Sequence, residues 1–181
     1  MPTHMRNFLM AGGLLMAVAA APAAASAQQK LPPVRVTASL EYADGLMLRA
    51  ESLSTTLTQF KKAADLFERS AEVRTAADPQ AVNCLRAAAN LRYNSGDKRR
   101  SLGLMEKAGD RAIRLGDVET AAHAYIDAAV IASELRQGQR ARELGERAVL
   151  LAKSPLLSAA QRGALEYRMS GWASAVQVAA R

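Results

Sequence analysis

Cysteine, histidine and aromatic residues are scarce in this 181-residue chain, which contains one cysteine, two histidines and only 4% aromatic residues. A single cysteine cannot form an internal disulfide, so the fold does not depend on one. Cys84 falls among Val82, Leu85 and Ala88, which predicts a small buried apolar side chain. An intermolecular disulfide or a reactive thiol is the alternative.

The sequence also lacks the residue patterns of common catalytic sites. His123 is the only histidine beyond the N-terminal segment, and no further histidine or cysteine stands at the spacing of a metal site. There is no glycine-rich phosphate loop, nucleophile elbow or His-x-x-x-His pattern. Glu106 and Asp110 share one helical face, which is usually solvated. We therefore expect a non-enzymatic protein without catalytic residues, metal or cofactor.

Long apolar runs occur only near the N terminus. Arg6 precedes the apolar run Phe8–Ala20, and the small residues Ala25-Ser26-Ala27 follow it. This order is typical of a secretory signal peptide cleaved after Ala27, and the alanine-rich style indicates a bacterial protein. A membrane anchor is the alternative, since Phe8–Ala25 carries no charge. We expect a periplasmic or secreted protein.

Three regions follow from this prediction: a signal peptide at 1–27, an extended proline-containing linker at 28–38, and a helical-repeat domain at 39–181. Pro32-Pro33 disfavours helix in the linker. No second long apolar stretch follows, so we expect no stable membrane span in the mature chain.

The remainder is rich in alanine and leucine and poor in proline, which favours α-helix. Stop and start signals such as Gly96-Asp97 and Gly116-Asp117 divide it, and Ser158 with Gln161 forms a capping-box pair. Gly45 weakens the first segment. The predicted helices span about 39–53, 55–76, 79–94, 98–115, 118–135 and 139–153, and a seventh begins near Ser158. The short connections predict antiparallel neighbours.

One stretch combines large, small and aromatic residues at regular helical intervals: Met105, Ala108, Gly109, Ala112, Gly116, Ala121, Tyr125 and Ala128. It resembles the tetratricopeptide repeat, although its neighbours recur at about 39–41 residues rather than the family's roughly 34. The resemblance implies an all-α fold of antiparallel helical hairpins stacked as a short tetratricopeptide-like α-solenoid. A plain helical bundle is the alternative. Ala121 and Ala128 are expected at helix contacts, Tyr125 between hairpins, and Ala122 in a more exposed position.

The resemblance also implies a binding groove lined by the first helix of each hairpin. Spacing from Met105 places Glu106, Asp110 and Arg114 in this groove, and spacing from Leu144 adds Arg142 and Val149. The implied partner is an unidentified protein or peptide of the cell envelope.

The net charge of +7 supports a second hypothesis, in which the protein binds acidic envelope polymer or lipid headgroups by charge. Export argues against nucleic acid. The residues for this alternative lie around two turns: Lys98-Arg99-Arg100, Arg136, Arg140, Arg142 and Arg147.

The last helix carries an apolar stripe at steps of four, three and four residues, formed by Leu165, Met169, Trp172 and Val176. It is expected to close the end of the stack. Alternatively, it docks a partner or a second copy of the chain, because tryptophan is a frequent interface anchor.

Overall fold

The computed structural model describes the backbone of residues 34–179 and the side chains of residues 39–172. In this part of the chain the secondary structure is entirely helical. The predicted signal peptide, the linker up to residue 33 and the side chain of Val176 lie outside the described residues. The helices are α1 (Val34–Leu53), a 3-10 turn (Leu57–Gln59), α2 (Phe60–Val73), α3 (Gln80–Asn94), α4 (Lys98–Arg114), α5 (Val118–Glu134), α6 (Gly138–Ala152) and α7 (Ala159–Ala179).

Each helix from α1 to α6 packs against the next one, and α7 packs against α5 and α6. Arg100, at the start of α4, contacts the middle of α2, and Arg111, at the end of α4, contacts the end of α2. Alternate helices therefore run parallel and consecutive helices antiparallel. The predicted all-α stack of antiparallel helical hairpins is confirmed.

The core between the helices is made mainly of alanine, so neighbouring helices approach closely. Larger side chains such as Phe67, Tyr125 and Leu144 fill the spaces between the alanines. Core alanines with no exposed surface include Ala63, Ala64, Ala88, Ala108, Ala121, Ala128 and Ala148.

The turns after α3, α4 and α5 share one backbone conformation. Gly96, Gly116 and Arg136, which are 20 residues apart, have positive φ angles of 85°, 76° and 59°. In each turn the next amide donates to the carbonyl five positions earlier, at 2.8–2.9 Å. This is the Schellman motif that ends a helix and satisfies its last carbonyl groups. Arg136 adopts the left-handed conformation without glycine's freedom.

The predicted helix caps are confirmed in three places. The carboxylates of Asp97 and Asp117 accept backbone hydrogen bonds at 3.3 and 3.0 Å at the starts of α4 and α5. Ser158 and Gln161 exchange the two hydrogen bonds of a capping box at 2.8 and 3.2 Å. Gln137, which holds the equivalent position before α6, makes no side-chain capping bond.

The N-terminal boundaries differ from the prediction. α1 begins at Val34, so residues 34–38 are helical rather than extended linker, and the helix continues through Gly45. α2 is shorter than the predicted 55–76, because the 3-10 turn Leu57–Gln59 precedes it and it ends at Val73. A glycine inside a helix costs only about 1 kcal/mol relative to alanine, which packing against α2 offsets.

The expected exposure of Ala122 is wrong. Its exposed fraction is 0%, the same as that of Ala121. α5 packs against α4, α6 and α7, so neighbouring helices cover most of its circumference. α5 is therefore buried on several sides, whereas the prediction for Ala122 assumes one buried and one exposed side.

Candidate protein-interaction surface

The helices α2, α4 and α6 lie side by side and form one surface, the even-helix face. Most of their buried positions match when the three helices are aligned 38 and then 40 residues apart, so that Phe67, Met105 and Gly145 are equivalent. These are the first helices of three successive hairpins, the position in which the sequence places the groove.

An ion pair recurs between the helices of the even-helix face. Arg100 of α4 binds Glu68 of α2 through Nη2 and Oε2 at 2.8 Å, and Arg140 of α6 binds Glu106 of α4 through the same atoms at 2.6 Å. In both pairs the arginine Nε also donates to the glutamate, at 3.1 and 2.9 Å. The hydrogen bond to Glu106 raises the pKa of Arg140. Paired, partly buried contacts of this kind fix how successive hairpins align.

A second arginine closes the end of α2. Arg111 donates to the backbone carbonyls of Ala71 and Arg74 at 3.2 Å each, and also to that of Thr75. The last carbonyl groups of a helix lack intrahelical partners, so this contact satisfies them and ties α4 to α2. Burial lowers the pKa of Arg111.

Seven of the eight residues that carry the repeat resemblance are buried, and Gly116 lies in the turn after α4. The Tyr125 ring is 1% exposed and its hydroxyl donates to Asp110 at 2.5 Å. Burial, together with this hydrogen bond, raises the pKa of Tyr125 to about 12. The buried residues are Met105, Ala108, Gly109, Ala112, Ala121, Tyr125 and Ala128.

The predicted groove residues do not form one continuous site. Glu106 and Asp110 lie on the even-helix face, but both are engaged within the protein, by Arg140 and Tyr125. Arg142 is exposed on α6. The 40-residue offset makes Glu146 and Leu150, rather than Arg142 and Val149, equivalent to Glu106 and Asp110.

Two of the surface pockets are lined by predicted groove residues. Arg114 helps to line a pocket of about 190 Å³ between α2 and α4, together with Glu68, Glu72, Lys107 and Arg111. Its lining contains carboxylates and cations in similar number.

Val149 lines the second pocket, of about 340 Å³, beside Gly145, Glu146, Leu150 and Trp172. This pocket lies between α6 and α7 and is mainly apolar.

Most of the basic residues of the charge hypothesis are already paired. Besides Arg100 and Arg140, Lys98 binds Glu134 at 2.9 Å, and Arg147 lies 3.9 Å from Asp110. Three residues of that set, Arg99, Arg136 and Arg142, remain exposed without an ion pair within residues 39–172. The positive charge at these turns is therefore compensated in part.

The apolar stripe of α7 points inward over its described part. Leu165 is completely buried, and Met169 and Trp172 pack against the core. A Cβ atom on Gly145 would collide with the Trp172 ring, so the tryptophan covers the glycine of α6.

His123 lies in the contact between α5 and α7. Its Nδ1 is 2.7 Å from Nη1 of Arg168, which also binds Asp127. Because the guanidinium only donates, Nδ1 accepts and the imidazole is neutral. Burial, followed by the charge of Arg168, lowers the pKa of His123.

Neither His123 nor Cys84 belongs to a metal site within the described part of the chain, where no group of three or more potential ligands occurs. Cys84 is buried, and its Sγ lies 3.6 Å from the hydroxyl of Ser70. Burial of Cys84 agrees with its predicted packing role.

Sequence reasoning missed the repeated arginine–glutamate pair. The signal was present, since Glu68 and Glu106 are 38 residues apart and Arg100 and Arg140 are 40 apart. Pattern matching to the repeat considers its small and aromatic positions and ignores charged ones.

Between Val34 and Ala179, no helix combines the length and apolar character that crossing a membrane requires. Comparison of the chain with protein-family models, with curated proteins and with solved structures finds no match.

Proposed function

We propose that the protein is an exported, non-enzymatic, tetratricopeptide-like scaffold of the bacterial cell envelope, which binds a protein or peptide partner on its even-helix face. The observation that carries the proposal is the alignment of α2, α4 and α6 by the equivalent pairs Arg100–Glu68 and Arg140–Glu106. These pairs hold three first helices of hairpins side by side. A pre-ordered surface of this kind binds a partner without the entropic cost of its own ordering.

The tetratricopeptide-like part of the proposal is supported by the contact between Gly109 and Tyr125. The family motif combines small residues in the first helix of a hairpin with an aromatic residue in the second. A Cβ atom on Gly109 would lie 2.8 Å from the Tyr125 ring, so glycine permits this helix approach.

Export is proposed from the Ala25-Ser26-Ala27 pattern alone. Intact-mass measurement of the protein purified from its own envelope is expected to give a new N terminus at Gln28. Retention of Met1 in membrane-bound protein would contradict cleavage.

Partner binding is tested with a photo-crosslinking amino acid introduced at Lys107, which is exposed on the even-helix face. The matched control carries the same amino acid at Asn90, which is exposed on α3. We expect a discrete cross-linked partner from envelope extract at position 107 and not at position 90. Equal cross-linking at both positions would contradict specific binding of a partner to the even-helix face.

The cross-linking experiment at high salt concentration distinguishes a packed protein contact from charge-driven binding to acidic polymer or lipid headgroups. Screening at about 0.5 M salt shortens the range of surface charge interactions to a few ångströms. A cross-link that persists at this salt concentration supports a packed protein contact. Its loss favours binding by charge through Arg99, Arg136 and Arg142.

Self-association through Trp172 is tested by measuring the molar mass of the protein in solution.

A further inference from the structure

The repeated ion pair of the even-helix face ends at α6. Glu68 and Glu106 receive an arginine from the next even helix, and the next equivalent position, 40 residues after Glu106, is Glu146. Glu146 is exposed, and no hydrogen bond or ion pair joins it to another residue within 39–172. It is a carboxylate in the position that receives a guanidinium twice elsewhere in the stack.

An apolar pocket lies beside this carboxylate. It is lined by Gly145, Val149, Leu150 and Trp172 in addition to Glu146. Leu150 is 68% exposed although it is apolar. The indole Nε1 of Trp172 is a buried atom that has no hydrogen-bond partner within the described residues.

The helices that dock inside the stack show what this surface receives. Each presents an arginine to the preceding glutamate and a leucine four residues later, which is 5% exposed in α4 and 0% in α6. A basic residue follows three positions further. These residues are Arg100, Leu104 and Lys107 in α4, and Arg140, Leu144 and Arg147 in α6.

The contact made by the basic residue, the third of the three, cannot be repeated on the surface of α6. Inside the stack, Arg147 approaches Asp110 at 3.9 Å, and Lys107 lines a pocket with Glu72. The equivalent of Asp110 in α6 is Leu150, 40 residues later. An incoming helix therefore requires an apolar residue, instead of a basic one, at its third contact position.

We propose that the surface formed by Gly145, Glu146, Val149, Leu150 and Trp172 binds one amphipathic helix of a partner protein. This helix presents an arginine to Glu146, a leucine four residues later, and an apolar residue three residues after the leucine. Residues at these spacings lie on one side of a helix. The inference rests on the proposed scaffold function and names the class of partner and its position.

A second copy of the chain fits this surface less well. The equivalent residues of α2 are Lys62, Leu66 and Arg69, 38 residues before those of α4. Lysine lacks the bidentate geometry that arginine offers a carboxylate. Arg69 would place a charge against Leu150, and it already lies over the ring of Tyr42 in α1, at 5.9 Å from the ring centre.

The probe for the test is a labelled, hydrocarbon-stapled peptide with the sequence of residues 98–114 carrying Lys107→Leu. It presents Arg100, Leu104 and the introduced leucine at the required spacing. We expect the full chain to bind it with a change in the emission of Trp172, the only tryptophan. Binding is measured by fluorescence anisotropy.

Charge exchange isolates the ion pair. Glu146→Arg is expected to weaken probe binding by about tenfold or more, because it places two cations together. A probe that carries Arg100→Glu is expected to bind the Glu146→Arg protein and not the unchanged protein. Glu51→Arg, at an exposed position of α1, is the control and leaves binding unchanged.

Equal binding of the probe by the unchanged and Glu146→Arg proteins would overturn the proposal, as would failure of the exchanged probe to restore binding. A dimer of the full chain that Glu146→Arg dissociates would assign the surface to a second copy and also overturn it. If the probe does not bind while the cross-link at position 107 persists, this surface is excluded and the proposed scaffold function stands.

Discussion

A Cβ atom added to Gly109 of α4 would lie 2.8 Å from Cε1 of Tyr125 in α5. The ring has no room to move away, because it is 1% exposed and its hydroxyl is bound to Asp110. The spacing of these two helices therefore depends on the absence of a side chain at position 109.

We expect Gly109→Ala to destabilise the protein by about 1–3 kcal/mol, since overpacking forces helices or side chains to shift. Gly103→Ala in the same helix is the matched control, because no atom lies within 4 Å of its added Cβ. It is expected to stabilise by up to about 1 kcal/mol through helix propensity. Urea denaturation measures both, and equal effects of the two substitutions would show that the close contact is absent.

The alanine contacts of α5 are tested by enlarging one of them. Ala121→Leu is expected to cost about 1–3 kcal/mol by overpacking, and Tyr125→Ala about 3–5 kcal/mol by leaving a cavity. Ala122 is no control, because it is equally buried. Ala164→Leu, at an exposed position of α7, serves instead and is expected to stay within about 0.5 kcal/mol. A cost for Ala164→Leu as large as that for Ala121→Leu would remove the evidence for a specific contact.

The turn between α5 and α6 is less favourable than the two turns before it. Arg136→Gly is expected to stabilise by about 1 kcal/mol, because a left-handed backbone costs a non-glycine residue roughly 1–2 kcal/mol. Gln137→Asp restores the cap found at Asp97 and Asp117 and is expected to add about 0.5–1 kcal/mol. Thermal unfolding of both variants provides the measurement. Gly116→Arg is the reverse control and should lower the melting temperature.

The contact between α5 and α7 is expected to weaken in acid. Glu119, Asp127, Arg86 and Arg168 surround His123, and burial is the largest cause of its lowered pKa. The folded state holds the proton of His123 less tightly than the unfolded state. The contribution of the neutral imidazole to the free energy of unfolding is therefore fully present above the ordinary pKa of 6.5, and it is lost as the pH decreases below that value.

One titrating proton changes the free energy of unfolding by at most about 1.4 kcal/mol per pH unit. His123→Asn keeps an acceptor near Arg168 and does not titrate, so it is expected to remove this part of the pH dependence. Urea denaturation at pH 7.5 and 5.5 compares the two proteins. The same loss of stability in both would exclude His123 as its source.

The sequence predicts the later helices well because their ends are encoded locally. Asp97 and Asp117 form caps with residues three positions away, and Gly96 and Gly116 adopt conformations that few other residues tolerate. Such signals act within one turn, so they can be read without knowledge of the fold. The start of α1 and the burial of Ala122 depend on packing between helices, which residue order alone does not show.

The candidate surface is harder to predict for the same reason. Glu106 and Asp110 lie on the even-helix face, but their partners Arg140 and Tyr125 come from other helices. Whether a charged residue is available to a partner depends on these tertiary contacts. Alignment of α6 from Leu144 places Val149 where the 40-residue offset places Leu150, because Gly145, the equivalent of Met105, has no side chain and Trp172 fills its space.

The turns at Gly96, Gly116 and Arg136 follow one another every 20 residues, yet a single helix is not the unit by which such a chain can grow or shrink. Removing one helix together with its turn would join two positions that are equivalent in the turns, so the conformation of the remaining turn would be kept. Every later helix would then change sides, however, and Arg140 would no longer face Glu106. Insertions and deletions are therefore compatible with this architecture only in pairs of helices, about 40 residues at a time.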